Sequence, residues 1–141
     1  MRKYPDRPIV AVGAVILDGD RVLLIQRGQE PLKGEWSLPG GVVELGETLQ
    51  AALAREVREE TSLDVVVGSV VEVLDSIRRD ASGRAEYHYI IIDYICCVRS
   101  GTPAVIACGT DAADIRWVPI GELEQYGVTP TAMAVVRKAC A

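Results

Sequence analysis

The chain is poor in the residues that build most metal and redox centres. Its 141 residues include one histidine, His88, and four cysteines, Cys96, Cys97, Cys108 and Cys140, none of them in a C-x-x-C pair. A zinc site would lack its usual ligand spacing. No stretch approaches the roughly 20 uninterrupted apolar residues that span a bilayer as a helix, so membrane insertion is not expected. Dense Lys/Arg clusters are missing too. With 15 basic against 20 acidic residues and a formal charge of -5, the chain offers no basic track for a phosphate backbone, which argues against a nucleic-acid partner. There is no internal repeat and no linker, and no small-residue cleavage site follows Met1-Arg2-Lys3-Tyr4-Pro5. A single domain over residues 1–141 is expected, in the cytoplasm and with reduced thiols.

What remains is an ordinary globular composition, 49% hydrophobic and 25% charged. Residues 9–17 form a β-branched apolar run, Asp18-Gly19-Asp20 supplies turn chemistry, and residues 21–26 resume with Val22, Leu23, Leu24 and Ile25. That pattern predicts a hairpin whose strands are covered on both faces. Between Gly28 and Gly41, Pro31, Gly34, Pro39 and Gly40 break regular structure, so a shaped loop is expected, pinned to the core by Trp36 and Leu38. Strong helix formers then run from Thr48 to about Thr61, with Leu49, Leu53 and Val57 spaced by four along one face. Two long strands follow, over residues 63–74 and 85–98, around a turn at Asp80-Ala81-Ser82-Gly83. In the second, adjacent Cys96 and Cys97 read as core or near-core residues on opposite faces. A loop over residues 101–114, a short strand over 115–118, a turn or short helix from Pro119 and a terminal helix beginning near Pro130 complete the order. The fold class is therefore α+β, a mixed sheet sandwiched between helices in α/β/α layers.

Chemistry concentrates on the first helix. Glu56, Glu59 and Glu60 stand at i, i+3 and i+4, so three carboxylates share one stripe of helix surface. Arg55 and Arg58 lie beside them, but two guanidiniums do not offset Glu44, Glu47, Glu56, Glu59 and Glu60 together. Five acids and two arginines between Glu44 and Glu60 place three of the five net negative charges within 17 residues. A divalent cation would relieve the repulsion, and oxygen ligands without His or Cys favour Mg²⁺, Mn²⁺ or Ca²⁺. On spacing alone, a solvated, salt-bridged helix face satisfies the same pattern.

The segment from Gly41-Val42-Val43-Glu44-Leu45-Gly46-Glu47 to Arg55-Glu56-Val57-Arg58-Glu59-Glu60-Thr61-Ser62-Leu63 closely resembles the box of the Nudix hydrolases: Gly, five residues, Glu, seven residues, then Arg-Glu-apolar-any-Glu-Glu-any-Gly-apolar. Only Ser62, where the box has glycine, departs from it. Trp36-Ser37-Leu38-Pro39-Gly40-Gly41 and Arg116-Trp117-Val118-Pro119 are similar to segments of short bacterial members of the ADP-ribose pyrophosphatase kind. The resemblance implies that Glu56, Glu59 and Glu60, with the Gly41 carbonyl, bind Mg²⁺ or Mn²⁺, and that Glu47 and Arg55 support them from behind. It implies hydrolysis of a nucleoside diphosphate linked to another group, ADP-ribose or a sugar nucleotide first, with a nucleoside triphosphate, including an oxidised one, as the nearest rival. A non-catalytic nucleotide sensor is disfavoured, because it would have no reason to retain the repulsion of three clustered glutamates.

The general base stays open among Glu56, Glu59 and an acid from a later loop, Asp111 ahead of Asp114; either aspartate is equally readable as a turn residue. Arg27, at the end of the second strand, is either a phosphate ligand or an exposed strand-end arginine. His88, between Tyr87 and Tyr89, reads as a packed residue rather than a catalyst. Relatives in the ADP-ribose subset are often dimers, so a homodimer stands beside the monomer as an alternative. Ser62 does not readily take the left-handed conformation expected of a helix cap, so either strain of about 1 kcal/mol or a differently closed turn is expected, with reduced stability or a shifted helix end rather than lost catalysis.

Overall fold

A computed structural model describes residues 3–30, 32–99 and 112–141. The predicted hairpin is present as β1 (Ile9–Asp18) and β2 (Arg21–Arg27). Within the glycine-rich loop two short strands form, β3 (Trp36–Ser37) and β4 (Gly40–Val42). Sequence breakers conceal them, because their pairing partners are distant: β3 bonds to β2 and β4 to β1. The helix α1 (Leu49–Thr61) precedes β5 (Val65–Arg79) and β6 (Ala85–Val98). β5 runs to Arg79, five residues beyond its apolar run, because register with β6 carries it on to the turn. After β7 (Ala112–Pro119), which begins earlier than its apolar core, come a 3-10 helix (Ile120–Tyr126) and α2 (Pro130–Ala139).

Among the described residues seven strands form one mixed sheet with the path β3-β2-β1-β6-β5, β4 pairing with β1 and β7 with β2. Of these strand pairs, β1 and β6 run parallel and the others antiparallel. The strands alternate their side chains between two cores. On one face Val12, Ala14, Ile16, Leu23, Tyr94 and Cys96 receive Ala52, Leu53 and Val57 of α1, with Trp117 packed alongside. On the other, Val15, Val22, Leu24 and Val118 receive Ala132, Val135 and Val136 of α2, with Trp36 and Leu38 packed alongside. The α/β/α layering follows, and the pinning role of Trp36 and Leu38 is as expected. Cys96 is buried but Cys97 is exposed, so of the adjacent pair only the first belongs to the core; Cys108 lies outside the described residues.

Both helices are capped by side chains. Thr48 accepts a hydrogen bond from the Ala51 N–H and Thr129 from the Ala132 N–H, satisfying amide groups that a first turn leaves without partners. Pro130 opens α2, where its missing N–H costs nothing. Ser62 ends α1 at φ +65°, its N–H donating to the Arg58 carbonyl at 2.9 Å. The helix end stays where a glycine would have put it, and the serine carries the strain. No helix among the described residues is long and apolar enough to cross a membrane.

Candidate active site

The helix α1 turns its apolar face to the sheet and its acidic face to the loop that leads into it. Two glycines allow that loop to come close. A Cβ at Gly40 would run into the Val12 carbonyl of β1, and a Cβ at Gly41 would run into the Glu56 carboxylate. The Gly40 N–H donates to Glu60 Oε1 at 2.8 Å, fastening the end of α1 to β4. Glu60 is buried, at 8% exposure, and its place in the fold is set by this bond.

Arg55 is the hub of the cluster. Its Nε and Nη2 fork onto the two oxygens of Glu47 at 2.7 and 2.9 Å, a bidentate geometry that fixes both planes. Its Nη1 donates to Glu56 at 3.0 Å and to Glu59 at 3.3 Å, and Nη2 also reaches the Val42 carbonyl at 3.3 Å. Glu44 lies 3.9 Å from the same guanidinium. Four glutamates thus share one cation. The bonds from Arg55, aided by the Glu44 N–H, pull the Glu47 carboxyl down to about 2, and Glu47 raises Arg55 in turn. Arg58 does not share this duty. It faces Asp64 at 3.0 Å, which Arg99 also holds at 3.2 Å, so the expected pair of neutralising arginines is a single one.

Among the described residues no three ligating side chains meet at one point. Glu56 and Glu59 are brought to the same Arg55 nitrogen, while Glu60 is turned to Gly40. The donor set nevertheless suits a hard cation, because the side-chain donors gathered around Arg55 are carboxylate oxygens. Glu59 is the open member of the group, 59% exposed against 18% for Glu56.

The remaining candidates separate. Arg27 ends β2 half-buried, and its backbone is tied to the glycine-rich loop: its N–H donates to Glu35 and its carbonyl accepts from Gly34. Asp111 lies outside the described residues. The Asp114 carboxylate is spoken for on β7, accepting from the Ile115 N–H at 2.8 Å and from Arg116 at 3.2 Å. His88 sits on β6 opposite Ile77, well along the strand from the α1-covered rows. Gly40, the Val42 carbonyl and Asp64 escaped the sequence-based list. The Gly40-Gly41 pair was the available signal for the first of them, since consecutive glycines mark close backbone approach.

Comparison with known proteins agrees with this geometry. The family model described as NUDIX domain matches residues 7–138. The ADP-ribose pyrophosphatase of Methanocaldococcus jannaschii is 39% identical over 116 residues, 82% of this chain and 64% of that protein. The putative 8-oxo-dGTP diphosphatase 2 of Mycobacterium tuberculosis is 53% identical over 58 residues, 40% of each chain. The crystal structure of the MutT NUDIX hydrolase from Burkholderia pseudomallei superposes with a TM-score of 0.79 at 26% identity, covering 94% of this chain and 98% of that one. The chain spans less than two thirds of the length of both curated relatives.

Proposed function

Because this chain belongs to the NUDIX family, we propose that it is a divalent-cation-dependent hydrolase of the phosphoanhydride in a nucleoside diphosphate linked to another moiety, with ADP-ribose or a similar sugar nucleotide as substrate. The carrying observation is the Arg55 hub, which gathers Glu47, Glu56 and Glu59 in the order the box requires. Preference for ADP-ribose rests on the 39% identity to the M. jannaschii pyrophosphatase across most of the chain.

In this reading Glu56, Glu59 and Glu60, with the Gly41 carbonyl, hold Mg²⁺ or Mn²⁺. The bound cation supplies charge neutralisation at the diphosphate and a lowered pKa for attacking water. Arg55 keeps Glu56 and Glu59 aimed through its hydrogen bonds, and Glu47 keeps Arg55 aimed. The Gly40–Glu60 bond sets how far the helix stands from the loop. Glu56, Glu59 and Asp111 are the groups proposed to accept the water proton, and Arg27 is the proposed contact for a substrate phosphate. Glycine at 41 leaves room for Glu56 beneath the substrate's approach.

A second reading, pyrophosphohydrolysis of a nucleoside triphosphate including an oxidised one, is favoured by the 53% identity to the M. tuberculosis relative. An assay with Mg²⁺ on ADP-ribose, other sugar nucleotides, dinucleotides and canonical and oxidised triphosphates decides between them. AMP plus a sugar phosphate is the expected product pair. Nucleoside monophosphate plus pyrophosphate supports the second reading, and binding without turnover of any of them refutes both.

A further inference from the structure

We propose, on the strength of the hydrolase reading above, that the open sheet face beside α1 seats the nucleoside of the substrate, with Asp75 accepting hydrogen bonds from its ribose diol. Gly41 pairs with Val12, Val12 with Ile92 and Ile92 with Val73, so one row of positions runs from beside the Glu56 carboxylate to the edge of the sheet. Exposure along that row climbs from 2% at Val12, under α1, to 57% at Val73. The next row outward is Val10, Ile90 and Asp75, and beyond it His88 stands opposite Ile77. Val10 and Ile77 are exposed too. The loop that carries Glu44 and Glu47 borders this face, the Val43 N–H donating to the Val10 carbonyl at 3.0 Å.

The side chains suit a ring system with one polar edge. Val10, Val73, Ile77 and Ile90 make an aliphatic floor continuous with the acidic cluster, and a contiguous apolar patch beside a site marks a binding surface, whereas single exposed apolar residues are ordinary. Two polar side chains are set into that floor, Asp75 and His88, diagonal neighbours across β5 and β6 with Cα atoms about 7–8 Å apart. Neither has a hydrogen-bond or ion-pair partner among the described residues. Both are therefore free to serve a ligand.

Chemistry and distance select the nucleoside as the occupant. An ionised carboxylate only accepts hydrogen bonds, and a vicinal diol offers it two donors, the pairing by which an acidic side chain reads a ribose hydroxyl in dinucleotide sites. Strand spacing puts Asp75 roughly 16 Å from Gly41, which keeps its charge clear of a diphosphate held at Glu56. The base then lies over Ile77 and against the His88 ring. A phosphate on the ribose 2′ oxygen would meet Asp75 as a like charge, so the same carboxylate that favours the diol rejects its 2′-phosphorylated form.

Adenosine has no phosphate and needs no metal, so it probes this face alone. Titrated at millimolar concentration into the isotope-labelled full chain without divalent cation, it should shift the NMR signals of the Val10, Val73, Asp75, Ile77 and His88 amides, and 2′-deoxyadenosine should bind about tenfold more weakly. Asp75→Asn, which keeps the side chain's shape, should abolish that difference. With Mg²⁺, the same variant should raise KM for ADP-ribose about tenfold at unchanged kcat and shrink the parent's discrimination against 2′-phosphorylated ADP-ribose by a similar factor. Turnover of ADP-ribose with no adenosine shifts on this face, or a ribose preference that survives in Asp75→Asn, would overturn the proposal and spare the hydrolase reading. Adenosine shifts here without turnover of any nucleotide would support the nucleoside seat and refute that reading. Shifts that follow protein concentration instead of adenosine would show a second copy covering the face, and would also overturn the proposal.

Discussion

Two acidic neighbourhoods lie on opposite faces of the same sheet, and they meet like-charge crowding in opposite ways. On the α1 face one guanidinium serves four glutamates, and the Glu47 carboxyl is held at about 2. On the α2 face Asp93 is 4% exposed, wedged so closely beside Gly13 that a Cβ there would strike its carboxylate. Its neighbour across the strands is Glu72, whose own cation, Lys138, is 3.0 Å away. Burial first, and then the Glu72 charge, push Asp93 up to about 6. One cluster keeps its charge by recruiting a cation, whereas the buried carboxyl of the other holds its proton up to about pH 6.

Breaking the charged cluster should have the largest effect. Glu56→Gln and Glu59→Gln are each expected to lower kcat by about 10²-fold or more with the fold retained, as circular dichroism would verify; rates near the parent's would remove them from the chemistry. Next is Asp93→Asn. The unfolded chain binds this proton only below about 3.8, the folded one below about 6, so stability from this group is full at low pH and falls as pH rises between those values. On the order of 2–3 kcal/mol is forfeited at neutral pH. Asparagine should recover most of it, raising the melting temperature at pH 7 by roughly 5 °C or more and leaving little gain at pH 4. An equal gain at both values would show that packing, not ionisation, is responsible.

Ser62→Gly should raise stability by about 1 kcal/mol, since the residue stands at φ +65°; an unchanged or lower melting temperature would refute the strain. The smallest effect sharpens the comparison from within. Glu72→Gln removes the lesser of the two causes raising Asp93, so NMR titration should find the Asp93 midpoint lower, though still above an ordinary aspartate because burial remains.

The α1 cluster was legible in the sequence because its logic is local: Leu49, Leu53 and Val57 declare the buried face, and the intervening acids must then share the other. At Ser62 the departure from the box was legible, but of the two outcomes left open, a strained cap or a differently closed turn, only the structure selects the first, with φ at +65°. The Asp93 environment was not, since its depth depends on the parallel register that sets it beside Gly13, 80 positions earlier in the chain. Arg58 looked equivalent to Arg55 by spacing, and only the chain's path after Ser62, which brings Asp64 within 3.0 Å, tells them apart. β3 and β4 escaped for a similar reason: in a segment of breakers, a strand is defined by its partner rather than by its composition.

The chain has two tryptophans, and the layering gives each a separate address. Trp36 packs into the core beneath α2, and its carbonyl accepts from the Thr129 N–H at 3.0 Å, while Trp117 packs into the core beneath α1. An arginine lies over each ring, Arg116 at 5.8 Å and Arg21 at 5.3 Å. The protein therefore carries a native fluorophore for each layer, and emission from chains retaining one or the other can report which half of the sandwich loosens first when it is heated.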